Sequence, residues 1–198
     1  MHKLPTDKEG PIDILFLTLT EWITPFLHAT GHTPNIITTY SLLTGLASGY
    51  CLWKGYIGAF IILFLVSYLL DCVDGYMARR YDQVTTFGDY YDHVSDIAKF
   101  LVIMYVFIYK YPYRQLTPVL VIIGVILAIS LMYLGCSQQH YKSSNNSISE
   151  TLDILLHFSN KDSIHWVKYC STGTLMVSVV VAAIYLECIS VNLTKRSS

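Results

Sequence analysis

Long apolar runs separated by short polar connectors form the main pattern of this chain. Residues 36–53, 56–70, 116–135 and 171–190 are apolar stretches, and IAKFLVIMYVFIY after the acidic segment GDYYDHVSD is another. Because a helix of about 20 mostly apolar residues spans the hydrocarbon core of a bilayer, these runs predict five membrane spans. Residues 150–168 carry only the short apolar piece TLDILLHF, so they are either re-entrant, interfacial or part of a sixth crossing. The predicted fold is an all-α, multi-pass transmembrane helical bundle of five to six spans.

Residues 11–31 depart from this pattern. They are apolar overall but carry Asp13, Glu21 and an internal proline, which favours an amphipathic helix lying in the membrane interface. The chain is therefore predicted to be a single membrane domain over residues 1–198, with this interfacial helix followed by a transmembrane core over 32–198.

Composition and charge agree with a membrane protein. Hydrophobic residues make up 53% of the chain and charged residues 14%, whereas a soluble domain of this size carries more surface charge. The formal net charge of -1 provides no basic field for nucleic acid. Lysines and arginines near the span ends gather on one predicted side, which places the acidic segment on the cytosolic face. In a eukaryotic cell, the endoplasmic reticulum is the expected membrane.

The candidate chemistry lies in DCVDGYMARRYDQVTTFGDYYDHVSD, residues 71–96. Asp71 and Asp74 share one face at the end of a helix, and Asp92 and Asp96 share one face at the start of the next. An antiparallel hairpin would bring these four carboxylates together, and they cannot all stay ionised without cations. Ligand sets of oxygen atoms suit Mg2+ or Mn2+, and a pair of such ions can neutralise and orient a pyrophosphate.

Small residues and one arginine follow the carboxylates. Gly75 and Ala78 lie on the helical face of Asp71, and Gly88 precedes the second acidic pair. Missing side chains at these positions would let a bulky ligand approach the backbone, and Arg79 supplies a fixed cation suited to phosphate.

This segment resembles, position for position, the CDP-alcohol phosphotransferase (phosphatidyltransferase) signature D-x2-D-G-x2-A-R-x8-G-x3-D-x3-D. The stretch HTPNIITTYSLLTG is similar to the family's PN-x-(L/I)-T sequence at the first membrane helix. The resemblance implies a helical membrane fold, usually with six spans and usually a homodimer. It also implies two divalent metal ions, a CDP-linked lipid donor and an alcohol acceptor whose hydroxyl displaces CMP.

The resemblance also implies roles for individual residues. Metal ions would be held by Asp71, Asp74 and Asp92, and Asp96 would be the general base and also touch the second metal. The CDP moiety would contact four further positions, namely Gly75, Ala78, Arg79 and Gly88. Asp89 is an additional acid beside the metal site, and its role is open.

Several alternatives remain open at this point. YDQVTTFGDYYD resembles phosphatidylinositol synthases, which favours a CDP-diacylglycerol donor, whereas the pair Asp92-His93 resembles choline and ethanolamine phosphotransferases, which use CDP-choline or CDP-ethanolamine with diacylglycerol. Lys99 and Lys142 are candidates for a basic acceptor pocket, or their ammonium groups snorkel to the interface. A UbiA-type prenyltransferase would need two acidic motifs, and this chain has one. A divalent-cation transporter would need acids distributed over several spans.

Overall fold

The computed structural model describes residues 8–144 and 164–197, with side chains described over 8–137 and 164–190, and these residues are helical apart from short connections. The helices are α1 (Pro11–Ala29), α2 (Pro34–Lys54), α3 (Ile57–Arg80), α4 (Thr86–Lys110), α5 (Tyr113–Ser144), α6 (Ile164–Val167) and α7 (Thr172–Ser197), with a 3-10 turn at Lys168–Cys170 between the last two. The predicted all-α class is confirmed. Of the stretch 150–168, only its final residues lie within the described part, where they form α6 and begin the 3-10 turn.

Three stretches in the described part of the chain are long and apolar enough to cross a membrane: Ile57–Arg80, Tyr113–Ser137 and Ile164–Ser190. Helices α2 and α4 have 21 and 25 residues, which is also enough length, but they fall outside this apolar set. Their crossing of the membrane stays a prediction. In support, α4 turns an apolar stripe outward through Ile97, Leu101, Tyr105 and Ile108.

The predicted polar loop that opens at Ser137 is wrong over residues 137–144. A polar loop was expected from Ser137 onward, yet α5 continues as a helix to Ser144. The sequence SQQHYKSS contains neither glycine nor proline, and its polar residues are tolerated in a helix that has already formed. The remainder of that expected loop lies outside the described residues.

Helix α1 shows an inverted distribution of polar and apolar side chains. Its buried residues are Asp13, Thr20 and Thr24. Its exposed large side chains are apolar, namely Ile14, Leu15, Leu19, Trp22 and Phe26. A helix on the surface of a soluble protein has the opposite arrangement, so this outward face suits lipid. The helix itself is confirmed over Pro11–Ala29, and its position in the membrane interface stays a prediction.

Asp13 joins α1 to the rest of the bundle. Its Oδ1 accepts hydrogen bonds from the hydroxyl of Tyr68 at 2.6 Å and from the backbone N–H of Gly173 at 2.8 Å. These donors belong to α3 and to the first turn of α7, where a negative charge also interacts favourably with the helix dipole. The polar residue that set α1 apart in the sequence is therefore a buried tertiary contact.

Asp13→Ala is expected to destabilise the protein by about 1–3 kcal/mol, because it leaves two buried donors without an acceptor. Asp13→Asn is the matched control, since its carbonyl oxygen can still accept both hydrogen bonds, and it should cost less. Thermal unfolding in detergent micelles measures both. Equal stability of Asp13→Ala and the wild type would show that this contact does not hold α1 in place.

Small residues on α2 allow close packing against its neighbours. A Cβ atom on Gly45 would lie 2.6 Å from Cδ of Lys99, and one on Gly49 would lie 2.5 Å from Cγ1 of Val102. Helix α2 packs closely against both α3 and α4, whereas α3 and α4 are not among the closely packed pairs. The two helices nevertheless bring oxygens of Asp71, Asp92 and Asp96 within 4.8 Å of one another, as the predicted hairpin requires. Helix α2 lies against both, and a cleft lined by Asp71 and Asp96 separates their polar ends.

Candidate active site

Two helix segments carry the acidic residues into this cleft. Asp71 and Asp74 lie in the C-terminal half of α3, and Asp92 and Asp96 lie in the first turns of α4. Helix α4 begins at a capped end, where the Thr85 side chain accepts a hydrogen bond from the backbone N–H of Gly88 at 3.0 Å. A capping hydroxyl satisfies a backbone donor that has no partner within the helix, so the sequence defines locally where the second acidic segment begins.

Three of the four predicted carboxylates converge. One oxygen from each of Asp71, Asp92 and Asp96 lies within 4.8 Å of the others. Oδ1 of Asp92 is buried and has no hydrogen-bond partner among the described residues. A buried carboxylate oxygen without a donor is costly unless a cation interacts with it. This donor set therefore fits Mg2+ or Mn2+, which prefer carboxylate oxygens.

Asp74 lies outside this group of three. Its side chain is only 3% exposed, and Oδ2 accepts a hydrogen bond from the Thr38 hydroxyl of α2 at 2.6 Å. The single nest of four carboxylates is therefore observed as three converging groups and a fourth buried beside them. A metal-binding role for Asp74 stays a prediction. Thr38 was missed by sequence reasoning, although a hydroxyl facing inward from a predicted span was the available signal.

Lys99, which the sequence offered as part of a basic acceptor pocket or as a snorkelling residue, pairs with two of these carboxylates, a contact that sequence reasoning did not anticipate. Its ammonium donates to Asp71 Oδ1 at 2.8 Å and lies 2.7 Å from Asp96 Oδ1. The residue is 8% exposed, so its ammonium group is directed into the carboxylate cluster and does not snorkel to the interface. The side chain of Lys142, the other candidate cation, lies outside the described part of the chain.

The predicted CDP contacts lie on the same two helices as the carboxylates. A Cβ atom on Gly75 would lie 3.3 Å from Nη1 of Arg79, so the guanidinium lies over the glycine backbone. A Cβ atom on Gly88 would lie 3.0 Å from Oδ1 of Asn35, because the start of α2 approaches the start of α4 there. Ala78 is half-buried. Contact of these residues with CDP stays a prediction.

Asp89 lies near the carboxylate group without being part of it. Nε2 of His93 is 4.0 Å from Oδ1 of Asp89, and Nδ1 of the same ring is 3.8 Å from Oδ2 of Asp92. The imidazole thus lies between the additional acid and a predicted metal ligand. This position makes His93 a neighbour of the cluster.

A cavity of about 340 Å³ opens beside the carboxylates. Asp71, Asp96 and Lys99 line its polar part. Its remaining walls come mainly from α3, α4, α5 and α7 and are largely apolar, including Phe64, Phe100, Ile103, Leu127, Leu131 and Leu175. A cavity that combines a charged end with hydrocarbon walls suits a ligand with a polar head and an apolar chain.

Comparison with known proteins places this geometry in context. Residues 31–191 match the family model described as CDP-alcohol phosphatidyltransferase. A CDP-diacylglycerol--inositol 3-phosphatidyltransferase from Saccharomyces cerevisiae is 28% identical over 173 residues, which is 84% of this chain and 73% of the yeast protein. No solved structure matches.

Proposed function

This chain belongs to the CDP-alcohol phosphatidyltransferase family, and we propose that it transfers a phosphatidyl group from CDP-diacylglycerol to an alcohol hydroxyl with release of CMP. The family and the apolar helices make it an integral membrane transferase. The observation that carries the proposal is the convergence of Asp71, Asp92 and Asp96 at the polar end of a largely apolar cavity.

CDP-diacylglycerol is the proposed donor for two reasons. The apolar walls of the cavity suit the acyl chain of a ligand whose polar head lies at the carboxylates. The yeast relative is named for the same donor. Its name also makes inositol the first acceptor to test on this chain, in agreement with the resemblance of YDQVTTFGDYYD to phosphatidylinositol synthases.

In the proposed reaction, two Mg2+ or Mn2+ ions would be held by Asp71, Asp74 and Asp92, with Asp96 also at the second ion. When bound, these ions would neutralise charge on the pyrophosphate, which is the main requirement of phosphoryl transfer. Arg79 contacts the CDP phosphates, while Gly75, Ala78 and Gly88 leave room for the nucleotide beside the backbone. These contacts hold the reacting phosphorus in position for attack.

Asp96 is the proposed general base. Its side chain is 46% exposed, so an acceptor hydroxyl in the cleft can reach it. The hydroxyl oxygen forms a bond to the phosphorus that carries diacylglycerol, and the bond from that phosphorus to the bridging oxygen of CMP breaks. Asp96 takes the hydroxyl proton, and CMP leaves with the bridging oxygen.

We further propose that the enzyme is a homodimer and that its active site faces the cytosol. The charge bias of the connecting segments supports this orientation. In a eukaryotic cell the proposed membrane is the endoplasmic reticulum.

A transferase assay tests the proposed function. Membranes containing the chain are incubated with Mn2+ or Mg2+, labelled CDP-diacylglycerol or CDP-choline, and a panel of alcohols that includes inositol. The expected result is CMP release with formation of a new phospholipid from CDP-diacylglycerol. Product from CDP-choline and diacylglycerol would replace the donor assignment with the choline type. Absence of CMP release with every donor, under conditions where the yeast relative is active, would contradict transferase function.

A further inference from the structure

The Lys99 ammonium occupies a position among the carboxylates that a metal ion would also favour. It lies 2.8 Å from Asp71 Oδ1 and 2.7 Å from Asp96 Oδ1, and it donates a third bond to Ser41 Oγ at 2.9 Å. Two of these three acceptors belong to the group of carboxylates that fits a divalent ion. The lysine therefore competes directly for oxygen atoms of that group.

The neighbouring helices are shaped to place the lysine there. A Cβ atom on Gly45 would lie 2.6 Å and 2.7 Å from Cδ and Cγ of Lys99, so only glycine leaves room for the aliphatic stem. The Ser41 hydroxyl donates to the backbone oxygen of Ser67 at 2.9 Å, which leaves its lone pairs free for the ammonium. Ser67 Oγ in turn donates to the backbone oxygen of Ser41 at 2.7 Å.

The charges of the cluster agree with this arrangement. A buried lysine is stable as an ion only when it is paired and hydrogen-bonded, and Lys99 meets both conditions. It offsets one of the three converging negative charges. The net negative charge that is left attracts a divalent ion, but less strongly than three uncompensated carboxylates would.

We propose that Lys99 is a resident counter-ion of the active site, which competes with divalent metal for Asp71 and Asp96 and lowers the affinity of the site for the ion. The proposal rests on the proposed metal-dependent function. It adds that a side chain of the protein itself, Lys99, supplies part of the positive charge that balances the carboxylates. A divalent ion that binds Asp71 and Asp96 must share their oxygens with the ammonium or displace it toward Ser41.

The test is a Mn2+ titration of the purified full-length chain in detergent, with free Mn2+ measured by electron paramagnetic resonance. Lys99→Met keeps the length of the stem and removes the charge, and Lys99→Gln is a second neutral variant in case the first does not fold. Both are expected to bind Mn2+ about tenfold more tightly, since removing one unit charge beside the ligands removes its repulsion of the ion.

Lys110→Met is the matched control. Lys110 lies on the same helix and is paired with Glu187 at 2.8 Å and with the backbone oxygen of Leu52 at 2.7 Å, away from the carboxylate group. Its replacement should leave Mn2+ affinity unchanged. A thermal unfolding series with increasing Mn2+ gives an independent readout, and the added stability from the ion should saturate at lower Mn2+ in the Lys99 variants.

The outcomes distinguish the counter-ion role of Lys99 from the proposed metal-dependent function. Mn2+ affinity that is unchanged or weaker in both Lys99 variants, while the wild type binds the ion, would overturn the counter-ion role and leave the proposed function standing. Absence of Mn2+ binding in the wild type and in both variants would overturn the metal-dependent function and the counter-ion role together. Tighter binding in the Lys110 control as well would also overturn the role, because the effect would not depend on contact with the carboxylates.

Discussion

Replacement of Asp96 by Asn is expected to reduce the rate of CMP release by roughly 10²- to 10⁴-fold, the usual contribution of a positioned general base. The amide cannot take the proton of the acceptor hydroxyl. Its carbonyl oxygen can still accept a hydrogen bond from Lys99, whose ammonium lies 2.7 Å from Oδ1 of the wild-type carboxylate. The local structure should therefore survive, and the loss should fall on turnover.

Binding measurements distinguish this role from a structural one. Affinity for CDP should stay close to the wild type in Asp96→Asn. Affinity for Mn2+ should fall, because Asp96 belongs to the converging group, but turnover should be lost even at saturating Mn2+ and donor. If the variant unfolds or loses its CDP affinity, Asp96 is a structural residue and the base must be sought elsewhere. Asp89→Asn is a useful comparison, since Asp89 is also half-buried and lies on the same helix outside the converging group.

The second large effect is expected for Asp92→Asn, which should abolish turnover through loss of metal. Asp92 belongs to the converging group, and its Oδ1 has no hydrogen-bond partner in the described structure. The substitution therefore removes a charged ligand without breaking a hydrogen bond to that atom. Loss of a residue that only hydrogen-bonds to a metal ligand lowers metal affinity roughly 10- to 100-fold. Loss of the ligand itself should lower Mn2+ affinity by more than that.

Asp82→Asn is the matched control for this experiment. Asp82 lies in the connection between α3 and α4, is exposed, and has a positive φ of 55°, a conformation that asparagine also tolerates. Mn2+ affinity and turnover should be unchanged there. Normal Mn2+ affinity in Asp92→Asn would show that the convergence of the three carboxylates is not a metal site.

The sequence predicted the helices, three of which lie in stretches long and apolar enough to cross a membrane, and the local order of the acidic residues, because both depend on short-range patterns. Apolar runs reveal a helix that is surrounded by lipid, and a spacing of three or four residues puts two side chains on one helical face. Prediction was wrong after Ser137, where polar residues were taken for a loop although nothing in SQQHYKSS breaks a helix.

The contacts between helices could not be predicted in this way. The sequence predicted that α3 and α4 bring their acidic residues together, but not that α2 packs against both helices. The register of α2 is decided by which small residues face which partners, as with Gly49 against Val102, and an isolated sequence does not pair positions so far apart. For the same reason the hydrogen bond from Thr38 to Asp74 was not anticipated.

By itself, the sequence determined the chemical class of the site, since eight spaced residues from Asp71 to Asp96 specify carboxylates, small residues and one arginine on two successive helices. Only the tertiary structure decided which of those carboxylates converge and which cation lies among them. Lys99 is an ordinary lysine in an apolar run until Gly45 of another helix leaves space for its stem. The charge balance of the site therefore depends on packing between helices, which acts across the fold and not along the chain.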